Sequence, residues 1–133
     1  MDQVRAFVER TPFNRIDTII LRVENLERAI RWYRKVLGTD PVFHDDAERL
    51  AVLGVGSGSL TLWQRRPGEA SPAPAGRSGT YPIFAVDDVE AAHVFASAHA
   101  HGVEAIQAGA GVRFFGFSDP DGNYLEACQV LEA

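Results

Sequence analysis

The sequence predicts an α+β fold: two βαβββ modules whose strands form an open half-barrel sheet with a central cavity, helices outside. Three observations carry this expectation. A strand, a polar cap, a helix and a glycine follow one another near residues 16–38, and the same order returns near 81–102. The repeat keeps its register, with Val23-Glu24-Asn25-Leu26 falling on Val86-Asp87-Asp88-Val89. Each helix is followed by three short strand candidates. The chain has 133 residues, 46% of them hydrophobic, which suffices for one shared core. A single module of about 55 residues buries little surface alone, so the two are expected to pair.

Residues 1–15 read as an amphipathic extension, with Val4, Phe7 and Val8 on one side and no signal-peptide core. The first module spans 16–65. IDTIILRV is β-branched and apolar and reads as a strand. Asn25 caps the helix LERAIRWYRKVL, and Gly38 ends it. Leu26, Ala29, Ile30, Tyr33 and Leu37 share one helical face. PVFHD, RLAVLGV and SLTLWQ are the three strands that follow. A Pro-, Gly-, Ala- and Ser-rich linker at 66–79 separates the modules, and whether it folds over the cavity mouth is left open. The second module spans 80–130. YPIFAV is its first strand and Asp88 its cap. VEAAHVFASAHAH is its helix and Gly102 the stop. VEAIQ, RFFGFS and YLEACQV complete it.

Composition excludes several functions. The net charge of −5 leaves no basic footprint for nucleic acid. The single Cys128 rules out an intramolecular disulfide and a cysteine-based zinc site. No apolar run approaches the roughly 20 residues that span a bilayer. A cytoplasmic protein is expected.

The segments VENLERAIRWYRKVLG (23–38) and SDPDGNYLE (118–126) resemble the vicinal oxygen chelate superfamily. It includes glyoxalase I, extradiol dioxygenases, fosfomycin-resistance enzymes and bleomycin-resistance proteins. The resemblance runs from about Ile16 to Val130 and implies the glyoxalase/bleomycin-resistance fold. In catalytic members a divalent metal sits in the cavity, held from the first and last strands of each module. Carried onto this chain, those positions fall on Thr18, Thr61, Tyr81 and Glu126. Only Glu126 keeps a ligand type, since such sites rely on His nitrogen and carboxylate oxygen. The resemblance therefore implies a dismantled metal site, and glyoxalase I activity is not expected. No cofactor is expected. The remaining metal alternative is a divalent ion held by Glu126, His44 and water. His93, His99 and His101 fall on or after the second helix and read as surface or helix-end residues.

Strand alternation sorts the other candidates. If Thr18 faces the cavity, so do Ile20 and Arg22. Ser59 and Trp63 go with Thr61, Ile83 goes with Tyr81, and Tyr124 and Cys128 go with Glu126. Glyoxalases carry an arginine at the Arg22 position, where it contacts an anionic substrate group. Arg22 is thus either an anion clamp or an arginine paired with Glu126 or Asp17. Arg113 is a second candidate of that kind. Trp63, Tyr81 and Tyr124 would supply stacking walls for a flat ligand, while Trp32 and Tyr33 read as helix core or dimer surface. Glu126 is left with three roles: a general base activated by burial, an acidic anchor for a cationic ligand, or a structural partner of Arg22.

Two functions follow. One is a metal-free binder of a small aromatic or cationic compound, of the resistance or sequestration type and acting as a homodimer. The alternative is a divergent enzyme of lyase, isomerase or dioxygenase type that uses Glu126 and Tyr81 as acid/base groups. An ionisable group within hydrogen-bond reach of Glu126 across the cavity would favour the enzyme.

Overall fold

The structure, a computed structural model, describes residues 11–70 and 79–132. The amphipathic stripe at Val4, Phe7 and Val8 and most of the 66–79 linker lie outside the described residues. Strand β1 (Ile19–Val23) leads into helix α1 (Leu26–Leu37), and strands β2 (Pro41–Asp45), β3 (Leu50–Val55) and β4 (Gly58–Gln64) follow. The second half repeats the order with β5 (Ile83–Ala85), α2 (Val89–His99), β6 (Gln107–Gly109), β7 (Val112–Ser118) and β8 (Tyr124–Val130). Each half forms an open four-stranded mixed sheet, ordered β1-β4-β3-β2 and β5-β8-β7-β6. In both, the first and last strands of the module pair in parallel and the other neighbours are antiparallel.

Local chemistry fixes the helix starts. Asn25 Oδ1 accepts the Arg28 amide at 2.9 Å, and Asp88 Oδ1 accepts the amides of Glu90 and Ala91 at 3.1 Å each. Gly38 ends α1 in the left-handed region, with φ of 68°. The second helix stops at His99, short of the expected Gly102. The backbone of His101 exchanges hydrogen bonds with Ser118, which draws the chain onto β7. The strand expected at VEAIQ is displaced for the same reason. Glu104 bonds to the Gly116 carbonyl, Val103 and Ile106 pack on the core, and regular pairing begins only at Gln107. β5 is shorter than YPIFAV because Pro82 has no amide to donate.

Alternation assigns the two faces of each sheet. Leu21 and Val23 of β1, Ala51 and Leu53 of β3, and Leu60 and Leu62 of β4 are buried with Leu26, Ala29 and Tyr33 of α1. Phe115, Phe117, Leu125 and Ala127 do the same in the second half, with Val89 and Ala96 of α2. Full burial of each larger side chain contributes about 1.5–3 kcal/mol. The residues between them point to the opposite, helix-free face.

The SDPDGN turn joins the halves. Asp119 is buried; its Oδ1 accepts the amides of Asp121 and Asn123, and its Oδ2 accepts Asn123 Nδ2 and, at 2.7 Å, Tyr33 Oη of α1. Asn123 Nδ2 also reaches the Arg22 carbonyl, and Asp121 Oδ1 accepts the Glu24 amide and Arg28 Nη2. Trp32 Nε1 donates to the His99 carbonyl at the end of α2. Tyr33 is therefore core, and Trp32 ties one helix to the other.

Candidate functional site

The helix-free faces carry most of the candidate residues, in two clusters. On the first sheet, Ile20 stands opposite Thr61, and Arg22 opposite Trp63. Thr18 Oγ1 and Thr61 Oγ1 are 2.8 Å apart, so each hydroxyl already has the other as hydrogen-bond partner. Arg22 lies over the Trp63 ring, 4.5 Å from its centroid, in a cation–π contact. Its guanidinium forks onto Glu69, with Nε to Oε2 at 3.0 Å and Nη2 to Oε1 at 2.6 Å. The partner of Arg22 is thus Glu69 rather than Glu126 or Asp17. Asp17 instead pairs with Arg15 at the surface. Glu69 also accepts the Arg66 amide, and these partners, the Arg22 hydrogen bond foremost, hold its carboxyl below the usual range.

On the second sheet, Ile83 and Gly116 flank Glu126 in register. Glu126 is 7% exposed, the only ionised-type side chain buried in a sheet of the described structure. Tyr124 Oη donates to its Oε2 at 3.1 Å and also lies 3.3 Å from Glu104 Oε1. The Tyr81 ring stands edge-on to Tyr124, centroids 4.8 Å apart at 90°. Gly116 makes this geometry possible. A Cβ built there would meet Tyr124 Oη at 2.2 Å and two ring carbons at 2.5 Å. The phenol lies over the sheet in the space a side chain would fill, and so reaches its carboxylates.

Two candidates lie elsewhere. Arg113 shares the parity of Phe115 and Phe117, so it points to the helix side, where it pairs with Glu90 of α2 at 3.0 Å. His44 stands opposite Ala51 on the α1 side of the first sheet and pairs with Asp46. It shares no face with Thr61 and belongs to a different sheet from Glu126. His93 is half-buried on α2. Its Nε2 is 2.8 Å from the Glu104 carbonyl, and its ring packs edge-on to Phe115.

The residues at the metal positions do not fit a metal. Two are threonine hydroxyls bonded to each other, one is a tyrosine packed on a second ring, and one is a carboxylate held by a phenol. Among the described residues, no three His, Cys, Asp or Glu side chains converge as a ligand set. Three residues of the site were not singled out from sequence: Glu69, Glu104 and Gly116. Only Gly116 left a signal, a glycine inside an otherwise aromatic strand, which marks a close approach. The carboxylates are placed by long-range folding that no local pattern encodes.

The solved structures most similar to this chain include proteins of several activities. Lactoylglutathione lyase from Agrobacterium tumefaciens is 25% identical, with a TM-score of 0.67 over 90% of this chain and 96% of its own. TioX from Micromonospora sp. ML1 is 22% identical, with a TM-score of 0.68 over 89% of this chain and 100% of its own. The fosfomycin resistance protein FosX from Listeria monocytogenes is 11% identical, with a TM-score of 0.71 over 88% and 93%. At these identities the likeness is one of fold. A comparison with curated protein sequences finds no match. The sequence model of the glyoxalase/bleomycin resistance protein/dioxygenase superfamily matches residues 15–127, and the chain belongs to that superfamily.

Proposed function

We propose that this protein is a metal-free binder of a small aromatic or cationic compound, of the sequestration type and acting in the cytoplasm. The observation that carries the reading is the surroundings of Glu126: a buried carboxylate beside two tyrosine rings, at the one metal position that keeps a ligand type. A carboxylate there attracts a cation, and the edges and faces of Tyr81 and Tyr124 suit a flat ring beside it. Arg22 on Trp63, engaged by Glu69, offers a second polar anchor on the other sheet. A homodimer would complete the groove. Ile20 is 48% and Ile83 54% exposed on the helix-free faces, apolar surface that a second copy or a ligand would cover.

Benzamidinium, a planar aromatic cation, and its neutral counterpart benzamide test this by calorimetry. Saturable benzamidinium binding is expected, weakened at least about tenfold by Glu126→Gln, the equivalent of about 1.4 kcal/mol. Equal binding of both probes, or binding untouched by Glu126→Gln, would overturn the reading.

A second reading draws on the Tyr124–Glu126 hydrogen bond, which puts an ionisable group within reach of the carboxylate. In it, the protein is a lyase or isomerase in which Glu126 takes a proton from a bound substrate. Against it, the phenol sits two residues away on the same strand and serves two carboxylates, an arrangement that secures Glu126 in place. Turnover of a substrate that is abolished by Glu126→Gln, with binding retained, would favour the enzyme.

A further inference from the structure

A cavity of about 150 Å³ lies on the opposite side of the second sheet from Glu126, beneath α2. Both modules build it. Val36 and Leu37 from the end of α1 form one wall, and Phe84, Phe115 and Ala96 form the floor and the α2 side. Every residue lining it is apolar.

The internal repeat explains why the space exists. α1 begins at Leu26 and α2 at Val89, and the same register places Tyr33 of α1 on Ala96 of α2. In the first module Tyr33 is fully buried and fills the layer between helix and sheet. In the second module the corresponding residue is an alanine, also buried, and it lines the cavity. The missing volume is that of an aromatic side chain.

We propose that this cavity is a binding site for a small uncharged aromatic molecule of about the size of benzene. The cavity is open on one side, so water enters it, but its mostly apolar lining offers that water few of the two to four polar partners it needs, and a flat apolar guest displaces it. A charged ligand would lose its hydration with nothing in return. Phe84 and Phe115 offer ring edges and faces to a flat guest. Phe95, also at the cavity, is 43% exposed and packs on His99, so its ring stands at the mouth. The site is independent of the Glu126 surface: it lies on the other face of the sheet and selects against charge.

The test is fluorobenzene binding to the full chain, followed by fluorine NMR. The expected result is saturable binding that Ala96→Phe abolishes, while the far-ultraviolet circular dichroism is unchanged and the melting temperature is no lower. Ala92→Leu, which fills the same space from the next turn of α2, is expected to abolish binding too. Absence of saturable binding to the wild type would overturn the proposal, including the case in which a side chain of a second copy already fills the space. So would binding that survives both variants. Glu126→Gln is expected to leave fluorobenzene binding unchanged, and a parallel loss would also count against a separate site.

Discussion

Replacing Gly116 by alanine puts a methyl group where the Tyr124 ring lies. The new Cβ would stand 2.2 Å from Tyr124 Oη and 2.5 Å from Cε1 and Cζ, far inside van der Waals contact. The backbone at Gly116 is held on both sides, opposite Glu126 of β8 and by the Glu104 amide on its carbonyl, so the ring must leave instead. On leaving it loses the hydrogen bond to Glu126 and the edge-on contact with Tyr81. A hydrogen bond to a charged group contributes about 1.5–3 kcal/mol, and an aromatic pair about 0.5–1.5 kcal/mol. Alanine returns about 0.5–1 kcal/mol, because it restricts the unfolded chain more than glycine does. The net expectation is a destabilisation of about 2 kcal/mol in urea unfolding, with the probe affinity of the Glu126 site lowered as well. The control is the same change in a Tyr124→Ala background. There the methyl meets no ring and is expected to be neutral or slightly stabilising. A Gly116→Ala chain within about 0.5 kcal/mol of wild type, or an equal cost in both backgrounds, would mean that the Tyr124 ring does not depend on the missing Cβ.

Asn25→Ala removes the acceptor for the Arg28 amide and is expected to cost about 1 kcal/mol in urea unfolding. Tyr33→Phe removes a buried donor to Asp119 and is expected to cost about 1.5–3 kcal/mol, with little change in probe binding. Asp119 also gives a pH dependence. Burial raises its carboxyl above the usual range, although hydrogen bonds from Asn123 and Tyr33 pull the other way. The folded state therefore favours the protonated form. The stability this group contributes is complete below the unfolded carboxylate value of about 3.9 and is lost as pH rises through the raised folded value. The stability advantage of wild type over Asp119→Asn, read from urea midpoints, should be largest in acid and shrink toward neutral pH. An advantage that grows with pH would contradict this.

Features set by local chemistry were legible in the sequence. Asn25 and Asp88 cap their helices as their side chains require, and Gly38 turns left-handed where the apolar stripe ends. PVFHD and YLEACQV are strands over their expected residues. Alternation sets Ile20 with Arg22 on β1, Thr61 with Trp63 on β4 and Tyr124 with Glu126 on β8, and the structure adds the contacts between strands, Thr18 with Thr61, Arg22 with Trp63 and Tyr81 with Tyr124. Misreadings arose where distant segments decide. Gly102 looked like a helix stop, but the bonds between His101 and Ser118 end α2 earlier. Arg113, by contrast, is set on the helix side by local alternation with Phe115 and Phe117, and there it pairs with Glu90. Arg22 found Glu69, a residue inside a stretch that reads as linker. The SDPDGN segment marked a family, but its physical work, tying the second module to Tyr33 and to the start of α1, emerges only from the fold.

If Glu126 anchors a ligand without a metal, the chain retains no stoichiometric metal after desalting. The chain would be purified without chelator or affinity tag, equilibrated in turn with Mn²⁺, Fe²⁺, Ni²⁺ and Zn²⁺, desalted, and assayed for metal per chain. Well under one ion per chain is expected for every metal, with no difference between wild type and Glu126→Gln. Near-stoichiometric retention that disappears in Glu126→Gln would contradict this and return the site to metal chemistry.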